Sequence, residues 1–236
     1  MTYITMLKKL FNGQVNSVTV AALLVALSSL ASRLLGIFRD RILAGEFGAG
    51  DTLDIYYAAF RIPDLIFNLL VLGALSASFI PIFTKLIESP VEKIKDLAGK
   101  DKHKHAWELA SVIINIMGLG LIILSALGII FSPWLTKLIT PGFLGDKQML
   151  TANLTRVMFL SPFFLGISAV LGGILQSFRR FFVYSLSPII YNIGIIIGAL
   201  YFVPIWGIYG LAWGVVLGAF FHMLIQVPTV WHLGFR

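Results

Sequence analysis

"SVTVAALLVALSSLASRLLGIFRDRILAG", residues 17 to 45, decides the fold class of this chain. Residues 17 to 32 carry no charge and read as a helix buried in a bilayer, which about 20 apolar residues suffice to cross. The same run then takes up Arg33, Arg39, Asp40 and Arg41. An arginine in hydrocarbon costs from ~3 to more than ~10 kcal/mol, depending on how it is measured. Arg33 is therefore expected to face a bundle interior or a wet cavity. At 100° per residue Arg33 and Asp40 return to nearly the same face, with Ser29 and Gly36 on that stripe, while Arg39 points away by about a third of a turn.

The whole chain has the same character. Of its 236 residues 58% are hydrophobic and only 12% charged, and the mean hydropathy is +0.91. That composition lacks a soluble surface and identifies an all-α integral membrane protein. The length holds a bundle of about six transmembrane helices. Apolar runs and their punctuation place spans at about 17 to 45, 53 to 86, 107 to 131, 151 to 177, 181 to 202 and 206 to 229, within one unit covering residues 1 to 236. With no cysteine there is no disulfide, thiolate metal site or cysteine nucleophile.

The polar segment 88 to 105 is rich in lysine and reads as the largest loop. If Lys8, Lys9, this loop and Arg179–Arg180 share one side, the positive-inside rule makes that side cytoplasmic, together with the N-terminus. Topology thus accounts for the net charge of +7 without nucleic acid, since the aromatics lie in apolar runs away from the basic residues. Trp107, Trp134, Trp206 and Trp231 fall near expected span ends and read as interfacial anchors.

The second span repeats the polar stripe. In "DIYYAAFRIPDLIFN", residues 54 to 68, Asp54, Arg61, Asp64 and Asn68 fall within about 80° of one another on a helical wheel. Pro63 lies inside that stripe and reads as a hinge, because it removes a backbone donor. Two readings of the stripes stand side by side. The arginines either neutralise Asp40, Asp54 and Asp64 as structural ion pairs, or they line an anion-binding cavity. Counting Arg33, Arg39 and Arg61 against the three aspartates leaves no spare charge to decide between them.

Other polar residues carry less. His103 and His105 sit in a lysine-rich loop and read as solvated, with no metal site, and His222, Asn115, Gln176 and Asn192 read as interhelical hydrogen-bonding groups. No nucleophile elbow, phosphate loop or zinc helix is present, so neither an enzyme nor a cofactor is expected.

Residues 32 to 66, "SRLLGIFRDRILAGEFGAGDTLDIYYAAFRIPDLI", and 73 to 83, "GALSASFIPIF", carry a specific arrangement. The order S-R-x-L-G-x-x-R-D, F-G-A-G, D, F-x-x-P and G-A-x-S-x-x-F-x-P resembles the opening of the MurJ/MviN lipid II flippases, within the multidrug/oligosaccharidyl-lipid/polysaccharide exporter superfamily. The resemblance implies one lobe of a two-lobed flippase. Its substrate would be the undecaprenyl-pyrophosphate-linked peptidoglycan precursor, moved across the bacterial cytoplasmic membrane by alternating access. It implies substrate-binding roles for Arg33, Arg39, Asp40, Asp54 and Arg61, with Ser29, Gly36, Asp64 and Asn68 as cavity lining. Arginine suits pyrophosphate through charge-assisted bidentate bonds.

Two departures qualify it. Where the family commonly has arginine and then E-G-A in its second helix, this chain has Phe67, Asn68 and Leu72. The chain also supplies one lobe, so a second, from a homodimer or another chain, is an expected partner beside the lipid substrate and membrane lipids. Export of another polyprenyl-linked saccharide and a non-transporting membrane scaffold are the alternatives.

Overall fold

A computed structural model of the chain describes residues 13–15, 17–48, 50–69, 78–88 and 103–235. Every regular element among them is helical. They are α1 (Val18–Phe47), α2 (Asp51–Phe67), α3 (Ile80–Glu88), α4 (Lys104–Ile139) and α5 (Gly145–Met158). There follow α6 (Ser161–Ser177), α7 (Phe181–Ile197), a π-helical turn Gly198–Phe202, α8 (Val203–Trp206), α9 (Tyr209–Leu224) and α10 (Val227–His232). Five stretches of the described residues are long and apolar enough to cross a membrane: Val18–Phe47, Lys104–Ile139, Gly145–Ser177, Phe181–Trp206 and Tyr209–His232. Lys8, Lys9, Leu72 and residues 89 to 102 of the expected loop lie outside the described residues.

Local chemistry sets the helix ends. Ser17 caps α1, its side chain accepting from Val20 N–H at 3.4 Å. Gly48 stops α1 with φ +66, a left-handed backbone that glycine adopts without a Cβ clash. Gly207, at φ +57, likewise breaks the chain between α8 and α9.

The helix of the third expected span continues past residue 131, and α4 runs through Pro133 to Ile139. Proline at 133 deprives the Ile129 carbonyl of its helical donor, and Arg156 Nε on α5 donates to that carbonyl at 3.4 Å. Ser132 Oγ donates to the Ala152 carbonyl at 2.6 Å, and Thr136 and Thr140 bond carbonyls one turn back at 2.9 and 2.6 Å. The polar residues that read as loop are thus buried hydroxyls tying α4 to α5.

Trp107, expected as an interfacial anchor, packs against other aromatic rings. It stacks on Phe178 at 5.5 Å and 18°, and it meets Phe83 and Phe235. Trp134, Trp206 and Trp231 are exposed.

The buried core has two parts. One joins Phe79, Phe83, Ala110, Val170, Ile174, Leu175 and Val183, from α3, α4, α6, α7 and the turn before α3. The other joins Leu43, Tyr56, Ala59, Leu154, Ile195, Leu211 and Val215, from α1, α2, α5, α7 and α9. Close approach of α7 and α9 depends on paired glycines: a Cβ on Gly194 would stand 2.3 Å from Gly218 Cα. α1 packs chiefly on α7, and Leu23, Leu27, Leu30, Leu34, Ile37 and Phe38 remain exposed along it.

Val15 N–H donates to the Arg179 carbonyl at 3.1 Å, and the His103 ring meets Phe178. The start of α1, the start of α4 and the Arg179–Arg180 turn therefore share one end of the bundle. Burial draws the Arg180 guanidinium below its usual pKa there.

Candidate functional site

The expected site residues fall into three settings. Ser29 and Arg33 on α1 line a cavity of about 430 Å³ inside the bundle, with Ser168 and Gln176 of α6, Tyr184, Ser185 and Pro188 of α7, and His222 of α9. Among the described residues Arg33 is the one arginine, lysine or carboxylate lining it, and it makes no hydrogen bond or ion pair with any of them. On the far wall Ser168 Oγ lies 2.6 Å from His222 Nδ1 and accepts from the Gln226 side chain. The cavity therefore combines one uncompensated cation with hydroxyl, amide and imidazole groups. That set can take an anion by charge and orient it by hydrogen bonds.

Arg39 stands in the second setting, and it is held. Its Nε and Nη2 donate to Asp40 Oδ1 at 2.9 and 2.8 Å, and Nη1 donates to Asn192 Oδ1 of α7 at 3.0 Å. Asn192 Nδ2 in turn faces the Ser32 hydroxyl at 3.1 Å and the Ser32 and Pro188 carbonyls at 3.3 and 3.1 Å. Gly36 borders this hub, since a Cβ there would lie 3.8 Å from Asn192 Oδ1. Asp40 thus pairs with its sequence neighbour Arg39, and not with Arg33 on the shared stripe.

The third setting lies toward the end of the bundle where α1 ends and α2 begins. Lys147 Nζ donates to Asp51 at 2.6 Å and to Asp54 at 3.1 Å, and it stands 4.1 Å from the Phe143 ring centroid. Asp54, Arg61 and Lys147 border one open depression. It shares no lining residue with the cavity at Arg33. Asp64 accepts from Asn68 Nδ2 at 2.9 Å one turn along, outside both. Pro63 is buried within α2, which continues through it to Phe67.

Sequence reading assigned no site role to Lys147 or Asn192. Lys147 lies 93 residues from Asp54, so only the fold could pair them. Asn192 did carry a signal: an amide inside "NIGIIIGAL" must find a partner across a helix interface.

Comparison with known proteins adds a family. The model of the family described as lipid II flippase MurJ matches residues 43–236. A probable lipid II flippase MurJ of Buchnera aphidicola subsp. Schizaphis graminum is 33% identical over 216 residues, covering 89% of this chain and 39% of its own. The lipid II flippase MurJ of Burkholderia cenocepacia is 30% identical over 212 residues, covering 88% of this chain and 39% of its own. A solved structure of lipid II flippase MurJ, in an inward closed conformation, superposes with a TM-score of 0.70 at 25% identity, covering 88% of this chain and 42% of that one. The chain therefore spans about two fifths of the length of the relatives it matches. Its all-helical membrane bundle corresponds to one lobe of such a protein, and the chain belongs to the MurJ lipid II flippase family.

Proposed function

We propose that this chain is the lobe of a flippase that carries a lipid-linked peptidoglycan precursor, lipid II, across the bacterial cytoplasmic membrane by alternating access. The observation that carries the reading is Arg33, an arginine without an ion-pair partner among the described residues, set on a largely apolar cavity that also presents hydroxyl, amide and imidazole groups. A cation in that position is costly unless an anion visits it. In this reading Arg33 and Arg39 contact the pyrophosphate, and Asp40 holds Arg39. Asp54 and Arg61 act at the other end, beside Lys147. A second lobe, from the same or another chain, faces the exposed side of α1 and completes the central cavity. The N-terminus is cytoplasmic, a placement supported by the basic residues near the start of α1 and at Arg179–Arg180.

Arg33→Ala is expected to abolish precursor translocation while leaving membrane abundance unchanged. An equal loss of abundance would make Arg33 a structural residue and remove this reading.

A scaffold reading draws support from the other arginine. Arg39 is already neutralised by Asp40, as a purely structural ion pair would be. Replacing Arg33, Arg39 and Arg61 together by glutamine separates the two. Wild-type translocation by that variant would favour the scaffold.

A further inference from the structure

Arg39 has five N–H donors, and its neighbours take three of them. Asp40 receives Nε and one hydrogen of Nη2, and Asn192 receives one hydrogen of Nη1. One N–H therefore remains on each terminal nitrogen. A guanidinium meets a phosphate through such a pair of donors, and it does so with least loss of entropy when its plane is fixed beforehand.

Asn192 fixes it from the opposite side to Asp40. The amide is buried, 7% exposed, and its orientation is set by its surroundings. Its nitrogen faces only acceptors, the Ser32 hydroxyl and the carbonyls of Ser32 and Pro188, so its oxygen must turn to Arg39. The same side chain bonds α1 to α7 beside Pro188, the proline inside α7.

We propose that Asn192 is the positioning residue for Arg39: it orients the guanidinium so that its two free N–H groups meet a diphosphate, and it ties that contact to α7. The inference rests on the reading of Arg39 as an anion contact.

A double-mutant cycle on the full chain, purified in detergent micelles, tests it with inorganic pyrophosphate as the probe at fixed ionic strength. Asn192→Leu is expected to weaken pyrophosphate binding about tenfold or more in the wild-type background, the scale of one hydrogen bond to a charged group. In an Arg39→Gln background the same substitution is expected to change affinity by less than about twofold, because the residue it acts through is gone. Asn192→Ser keeps a small neutral donor beside the Ser32 and Pro188 carbonyls, withdraws the oxygen from Arg39 and guards against misfolding. It is expected to weaken binding, again only where Arg39 is present.

Equal factors in both backgrounds would mean that Asn192 acts on the bundle and not on Arg39, and would overturn the proposal alone. Wild-type affinity in Asn192→Ser would do the same. An Arg39→Gln variant that binds pyrophosphate as the wild type does would overturn the anion reading of Arg39, and the proposal with it.

Discussion

Arg33 and Arg39 are six positions apart on one helix, yet they meet different chemistry. Arg39 is taken up by Asp40 and Asn192, whereas Arg33 has no ion-pair partner among the described residues and borders a cavity lined by apolar side chains, hydroxyls, amides and an imidazole. Their substitutions should therefore separate. Arg39→Gln leaves Asp40 and Asn192 without the partner they share and is expected to lower the melting temperature of the purified protein, by about 1–3 kcal/mol of stability for an unsatisfied buried group. Arg33→Gln breaks no bond among the described residues and is expected to leave the melting temperature unchanged while abolishing anion binding. Thermal unfolding of the two variants beside the wild type checks this, and equal destabilisation would contradict it. Helical-wheel reasoning found both arginines and set Arg33 on the face of Asp40, but it left the ion pairing open. A wheel reports direction around an axis, and it does not show that Asp40 pairs with its sequence neighbour Arg39.

At the scale of the element, the helix contacts rest on small residues and buried hydroxyls. A Cβ on Gly194 would meet backbone atoms of Gly218, which cannot turn aside as a side chain can, so α7 and α9 would have to separate. Gly194→Val is expected to abolish recovery of folded protein from membranes. Gly45→Ala, where no atom lies within 4 Å, is expected to be recovered as the wild type is, and fluorescence-detected size exclusion would show both. At Gly128 an added Cβ would stand 2.2 Å from the ring of the fully buried Phe159, a side chain and not backbone, which would have to give way. Gly128→Ala is expected to cost about 1–3 kcal/mol, the usual range for overpacking, read as a lower melting temperature.

Apolar periodicity made the helical character of these elements legible, because each must bury its own backbone bonds in lipid. Their ends were less legible. Ser132, Pro133, Thr136 and Thr140 have the composition of a loop, and only the contact with Ala152 and Arg156 shows why they stay helical. The pairing of Lys147 with Asp51 and Asp54 was out of reach for the same reason, since no local pattern joins residues more than 90 positions apart. The ion pairs there are exposed, so the melting-temperature loss in Lys147→Met should shrink as salt is raised. A loss independent of salt would point to packing against Phe143 instead.

At the scale of the whole molecule, membrane class could be read from composition, and the family from the motif between Ser32 and Phe83. What the sequence could not give is the separation of the polar groups into an inner cavity, a hub on α1 and α7, and an outer depression. That separation depends on how α1 leans on α7 while sharing few contacts with α2. It leaves Arg33 without an ion-pair partner among the described residues, and the proposed anion contact rests on that.

Native mass spectrometry of the protein released gently from membranes, wild type beside Arg33→Ala, tests this most directly. A bound mass matching a polyprenyl-pyrophosphate precursor on the wild type, absent from Arg33→Ala at equal protein recovery, is the predicted result. The same lipid retained equally by both proteins would contradict it.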